Sequence, residues 1–282
     1  MKFNLNKKNN KIIIAALIII VIAIIVLYIF VIAKPANTGY LLSRIDSPVS
    51  SHNLQLLHNI AVNYSLANSV GMSLTSFPSL TGNTNITIVN GKPTVVYLGA
   101  EYCPFCAITR WGLILAMMRF GNFTNLHYMV SSSTDVYPNT PTFTFYNSNY
   151  TSKYINFEMV EAYNRSVDPL QTPNELENLT FSAYDSNNSA LPSNDRGGIP
   201  FVDFGNYSYE VGALILPTTI DGYTWDEVIN KLSDPSTHIS KNIIGVSNVY
   251  TAQICYMINY TAPACKNNTY VKPILKLQKE ES

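Results

Sequence analysis

Thr94-Val95-Val96-Tyr97-Leu98-Gly99-Ala100-Glu101-Tyr102-Cys103-Pro104-Phe105-Cys106 joins an apolar, β-branched run to two cysteines two residues apart, and a helical pattern follows at once. Ile108, Trp111, Leu115 and Met118 recur at three and four residues, with Leu113, Ile114 and Met117 making most of the remaining surface apolar. The stretch therefore reads as a strand, a tight turn and a buried helix that stops at Gly121-Asn122. Cysteines with this spacing can close a disulfide only where the backbone bends like the first turn of a helix. Pro104 suits that turn, because the N–H it lacks would have had no partner there. Free N–H groups and the positive end of the helix dipole favour a thiolate at the helix start. Cys103 is thus the expected nucleophile and Cys106 the resolving partner.

Outward from this segment, Ile86–Val89 reads as a strand turned by Asn90-Gly91 into the run at Thr94, with a short helix around His52–Asn63 before it. On the other side, Leu126–Val130 reads as the strand that completes a parallel βαβ unit. Thr142–Tyr146 and Tyr154–Ala162 are expected as strands in a Tyr- and Asn-rich insertion. Thr172-Pro173-Asn174-Glu175 reads as a capping box opening a helix to about Tyr184. Pro200 opens an apolar strand to Gly205, and Tyr207–Val211 returns as an antiparallel hairpin. Thr224-Trp225-Asp226-Glu227 is a second capping box for a helix to about Leu232, before a longer helix over Ile239–Ile258. Trp111, on the dithiol helix, reads as a core residue.

Ile12–Ala33 carries no charge and as a helix would span roughly 33 Å, enough for a bilayer. Lys2, Lys7, Lys8 and Lys11 precede it and only Lys34 follows closely, which places the N-terminus in the cytoplasm and the rest outside. The run exceeds the apolar core of a cleavable signal, so an uncleaved anchor in the lipid bilayer is expected, with cleavage after Val31-Ile32-Ala33 as the alternative. Asn-x-Ser/Thr acceptors at Asn63, Asn85, Asn122, Asn149, Asn164, Asn178, Asn187, Asn206, Asn259 and Asn267 suit a surface glycoprotein, although an Asn-rich sequence produces such triplets by chance. A formal net charge of zero and a charged fraction of 13% point away from nucleic acid as a partner.

All four cysteines of the chain follow the apolar run, on the side where disulfides persist. Cys255 and Cys265 lie at the end of a helix and in the loop behind it, the setting of a structural disulfide. A zinc site made of all four cysteines is disfavoured by the nine residues between the second pair, against about two to four in paired zinc ligands. His52 and His58 have no ligand types clustered with them, and no metal or other cofactor is expected. Glu101 and Asp135 are candidates to tune Cys103, with solvated surface acids as the plainer reading.

The order of strand, helix with CxxC at its start, strand, insertion, Pro-led hairpin and helix resembles the thioredoxin-like superfamily, through Tyr97–Cys106 and through Gly198-Ile199-Pro200-Phe201. The chain is more closely similar to the uncharacterised archaeal and actinobacterial family called domain of unknown function DUF929. That likeness is also carried by Arg110-Trp111, by Ser131–Pro138 and by Ile254-Cys255 through Pro263-Ala264-Cys265. It implies an α/β thioredoxin-like fold with a helical and β insertion, and a cis bond before Pro200 facing the dithiol. Substrate would pair with the backbone at Ile199 and Pro200. The expected organisation is a basic cytoplasmic segment 1–11, an anchor 12–33, a membrane-proximal region 34–92, the thioredoxin-like domain 93–265 and a C-terminal tail 266–282. The expected function is thiol–disulfide exchange on exported proteins bearing thiols or disulfides, with a membrane redox partner to exchange electrons. The alternative is a non-catalytic binding or cell-envelope module whose disulfides only staple it.

Overall fold

The structure is a computed structural model that describes Leu17, Ile20 and residues 38–281. The expected segments 1–11 and 12–33 therefore lie almost wholly outside the described residues. Among the described residues no helix is long and apolar enough to cross a membrane.

From Thr38 onward the chain packs as one mixed α/β unit. Helices α1 (Thr38–Ser43), α2 (Ser51–Ala61) and α3 (Tyr64–Val70) lead into strands β1 (Ser79–Leu80), β2 (Ile88–Val89) and β3 (Lys92–Gly99). Helix α4 (Pro104–Met118) follows, then β4 (Gly121–Thr124), β5 (His127–Val130), β6 (Pro141–Thr144), β7 (Asn149–Ser152) and β8 (Asn156–Glu161). After α5 (Glu175–Phe181) and a π-helical turn at Ser182–Ser186 come β9 (Phe201–Phe204) and β10 (Ser208–Val211). The unit ends with α6 (Trp225–Leu232), α7 (His238–Met257), α8 (Pro263–Asn267) and α9 (Val271–Glu281).

β3 is the central strand, buried from Thr94 to Gly99. It pairs in parallel with β8, antiparallel with β9 and, at Lys92-Pro93, antiparallel with β2. Its side chains alternate between two apolar layers, as strand periodicity demands. Val95 and Tyr97 enter the main core with α4 and α7, while Leu98 packs with Val160, Phe201 and Tyr209 under Phe181 and Tyr184. α4 is apolar nearly all round because it is buried nearly all round. Against α7 it packs so closely that a Cβ on Gly112 would lie 2.4 Å from Val246 Cγ1, and only glycine permits that approach.

Two expectations are corrected. β5 does not complete a parallel unit with β3. It pairs antiparallel with β6 in a separate two-stranded sheet, and β8 takes the parallel edge over Thr94–Gly99. Side-chain hydrogen bonds hold the β5–β6 ribbon on the helices instead. Thr142 Oγ1 donates to the Ala107 carbonyl (2.8 Å), Trp111 Nε1 to the Pro141 carbonyl (2.9 Å) and Trp225 Nε1 to the Thr142 carbonyl (2.6 Å). The α5 capping box is Asn174 with Glu177, two residues later than Thr172 with Glu175. Gln171 exchanges hydrogen bonds with the backbone of Glu161, so the chain is still tied to β8 there and turns into a helix only after Pro173. One core runs through the positions 92 and 265. Leu57, Ala61 and Ala67 before β3, and Ile274 and Leu275 after α8, belong to the same core as β3 and α4. The second expected capping box stands as read, Thr224 and Glu227 each satisfying the other's backbone N–H at the start of α6.

Candidate functional site

The chain leaves β3 at Gly99, crosses Ala100–Tyr102 and enters α4 with Cys103 as the N-cap. Cys103 has an extended backbone (φ −78°, ψ 122°), and its Sγ accepts a hydrogen bond from the Cys106 N–H at 3.3 Å, the place a serine or aspartate oxygen takes at ordinary helix starts. Both thiols are free and buried, Cys103 at 5% exposure and Cys106 at 0%. Their environments push them apart. The hydrogen bond from Cys106, its backbone N–H and the Arg110 charge lower the Cys103 thiol against its burial, whereas burial pushes the Cys106 thiol well up. A low first thiol and a high second one suit a nucleophile that is ready and a partner that holds its proton until needed.

Facing Cys103, the Ile199 carbonyl lies 3.8 Å from its Sγ, and the Ile199–Pro200 peptide is cis. Pro200 is buried and opens β9, its carbonyl accepting from Gly212 N at 2.8 Å, while Ile199 is half-buried beside the dithiol. Aromatic rings border the site: Phe105 lies edge-on to Tyr137 at 5.6 Å, and Tyr102 to Tyr163 at 6.3 Å.

Of the two candidate tuning acids, Glu101 is not a solvated surface residue. It is 4% exposed, and Thr144 Oγ1 donates to its Oε1 at 2.6 Å. Burial raises its carboxyl above the ordinary range, although the Thr144 bond opposes the shift. Asp135 stays partly exposed and accepts from the Val136 N–H on the loop that Ser132 ties to the Tyr102 carbonyl. Cys255 and Cys265 are joined to each other as a disulfide, their Cα atoms 5.5 Å apart. Among the described residues no group of three or more His, Cys, Asp or Glu side chains is placed to hold a metal ion. Trp111 is fully buried, as expected for a core residue.

Behind the dithiol lies a feature that the sequence reading did not assign. Arg110 and Glu161 form a fully buried ion pair, with Arg110 Nε donating to Oε1 at 2.8 Å and Nη2 to Oε2 at 2.6 Å. The same Nη2 lies 2.6 Å from the Ala100 carbonyl, at the entry to the site. Burial opposes the guanidinium charge, but Glu161, Tyr97 and Cys106 hold it protonated. A signal existed: Arg110 is the one charge in a largely apolar helix, one turn beyond Cys106, and Glu161 closes a strand that also carries Phe157, Met159 and Val160. What the sequence lacked was any hint that β8 lies next to β3, which is what brings the two charges together.

A family model described as Domain of unknown function (DUF929) matches residues 80–256. The chain belongs to this family. The DUF929 match runs from β1 to the last turn of α7 and takes in the dithiol, the Ile199–Pro200 segment and the Arg110–Glu161 pair. No curated protein and no solved structure matches the chain.

Proposed function

We propose that the chain is a membrane-anchored, extracytoplasmic thiol–disulfide oxidoreductase with a thioredoxin-like arrangement of its site. The carrying observation is Cys103 as the sulfur N-cap of α4, with its thiol lowered, Cys106 one turn behind it and the Ile199 carbonyl facing it. In the reducing direction the Cys103 thiolate attacks one sulfur of a substrate disulfide, forming a mixed disulfide and releasing the other sulfur as a thiolate. Cys106, once deprotonated, attacks Cys103 Sγ; the Cys103–Cys106 bond forms, the second substrate sulfur departs as a thiolate, and the two cysteines are oxidised as the substrate is reduced. Oxidation of exported proteins is the reverse, and a membrane redox partner resets the dithiol. The half-buried Ile199 backbone and the rings of Phe105, Tyr102 and Tyr163 offer an extended substrate segment its contacts.

The location rests on different support. The uncharged run Ile12–Ala33 follows four lysines, and a second cysteine pair joined as a disulfide fits an oxidising exterior. The test is trapping: Cys106→Ser accumulates mixed disulfides with exported proteins, visible on non-reducing gels, and Cys103→Ser accumulates none. A Cys103 that resists alkylation throughout the range from about pH 6 to 9, around the free-thiol value of about 8.5, refutes the reading in favour of a stapled binding module.

A further inference from the structure

Under the exchange just proposed, on which this inference rests, the resolving sulfur has the harder task. Cys106 must become a thiolate at a point with no exposure to water, where charge is costly unless fixed dipoles or charges receive it. Two of the groups that interact electrostatically with it each carry a buried polar atom with no hydrogen-bond partner: Tyr97 Oη and Arg110 Nη1. The tyrosine reaches in from β3. A Cβ built on Gly99 would lie 2.1 Å from Tyr97 Oη and 3.1 Å from Cys106 Sγ, so hydroxyl and sulfur converge on the space that this glycine leaves open. Arg110 comes from the same helix as Cys106, its Nε and Nη2 fully engaged with Glu161 and Ala100, and its Cζ lies 5.8 Å from the centre of the Tyr97 ring. A phenylalanine would fill the site of Tyr97 without burying an unpaired hydroxyl, which is destabilising where nothing answers it. The hydroxyl therefore calls for a reason other than stability.

We propose that the Tyr97 hydroxyl and the Arg110 guanidinium form a receiving site for the Cys106 thiolate, governing the resolution of a mixed disulfide more than its formation. Both groups act as donors and neither loses a proton. The proton of Cys106 goes to solvent or to the departing substrate thiolate, the Cys106 electron pair forms the bond to Cys103 Sγ, and the pair of the broken bond leaves with the substrate sulfur. The titratable and charged groups around Cys106 are Cys103 and Arg110 on its own helix, Tyr97 from β3, Tyr102 from the β3–α4 turn and Glu161 from β8 behind Arg110.

Rapid mixing of the reduced full chain with dithiobis-nitrobenzoate separates the two steps. Attack by Cys103 releases one coloured thiolate and leaves the other half on Cys103; attack by Cys106 then releases the second and closes the Cys103–Cys106 disulfide. Tyr97→Phe should leave the first release unchanged and the melting temperature equal or higher, slow the second release about tenfold at neutral pH and move its pH midpoint up by about one unit, a unit of pKa being a tenfold change in thiolate. Arg110→Lys, which retains charge but loses the guanidinium fork, should slow the second release more than the first. An unchanged second release in Tyr97→Phe overturns the proposal, as does an equal slowing of both steps with a lowered melting temperature, the mark of a merely structural tyrosine. Absence of the first release in the unaltered chain defeats the oxidoreductase reading itself and this inference with it.

Discussion

Replacing Glu161 with glutamine should destabilise the protein far more than its near-identical shape implies. The carboxylate accepts Arg110 Nε at 2.8 Å, Arg110 Nη2 at 2.6 Å and the Phe145 N–H at 3.2 Å, and both charged side chains are fully buried. Glutamine keeps one acceptor oxygen but turns an NH2 toward a donor and leaves the guanidinium unneutralised. Removing one partner of a buried pair costs about 3–5 kcal/mol, because the survivor stays charged and dry. For a domain of this size each kcal/mol lowers the melting temperature by about 2–4 °C, so a fall of roughly 6–20 °C is expected. Arg110→Met should cost less at acid pH than at neutral pH, since burial already pushes the Glu161 carboxyl up and, without Arg110, it can take a proton. The double variant Arg110→Met/Glu161→Gln buries no net charge and should be less destabilised than the sum of the singles. Thermal unfolding of the four proteins closes a double-mutant cycle. A Glu161→Gln variant within about 1 kcal/mol of the parent, or singles that simply add, would refute the view that the pair is held by mutual neutralisation in a dry interior.

Two further outcomes follow from other parts of the unit. Burial pushes the Glu210 carboxyl up to about 8 even though Tyr250 donates to it at 2.8 Å. The folded state thus keeps a proton that the unfolded chain releases near the ordinary value of about 4.3, and stability present below that pH drains away as the pH rises toward 8. Glu210→Gln should flatten the decline in melting temperature between about pH 5 and 8; buried Asp203, pushed up to about 7, keeps a residual slope in the same direction. Replacing Cys255 and Cys265 together with serine should cost about 2–3 kcal/mol by the loop-entropy account. It should leave the alkylation rate of Cys103 unaltered, and a changed rate would show that the two cysteine pairs are coupled.

The local elements were legible because local chemistry specifies them. Cys103-Pro104-Phe105-Cys106 announced a helix start through proline tolerance and spacing, and Thr224 with Glu227 announced another through reciprocal capping. The turn at Gly205-Asn206 announced the β9–β10 hairpin, Gly205 and Asn206 both taking the positive φ that such a turn requires. Tertiary packing decided the rest. Leu126–Val130 and Tyr154–Ala162 are both apolar enough to lie beside β3, and nothing in either sequence says which one does; the β5–β6 ribbon is claimed by α4 and α6, leaving β8 for the sheet. That choice sets the site's electrostatics, because it places Glu161 against Arg110 and Arg110 behind Cys106. Burial likewise turned Glu101 from a surface acid into a held one. A sequence states which groups can be charged, but the charges they feel depend on neighbours far away along the chain, 51 positions between Arg110 and Glu161, and only the folded chain fixes those distances.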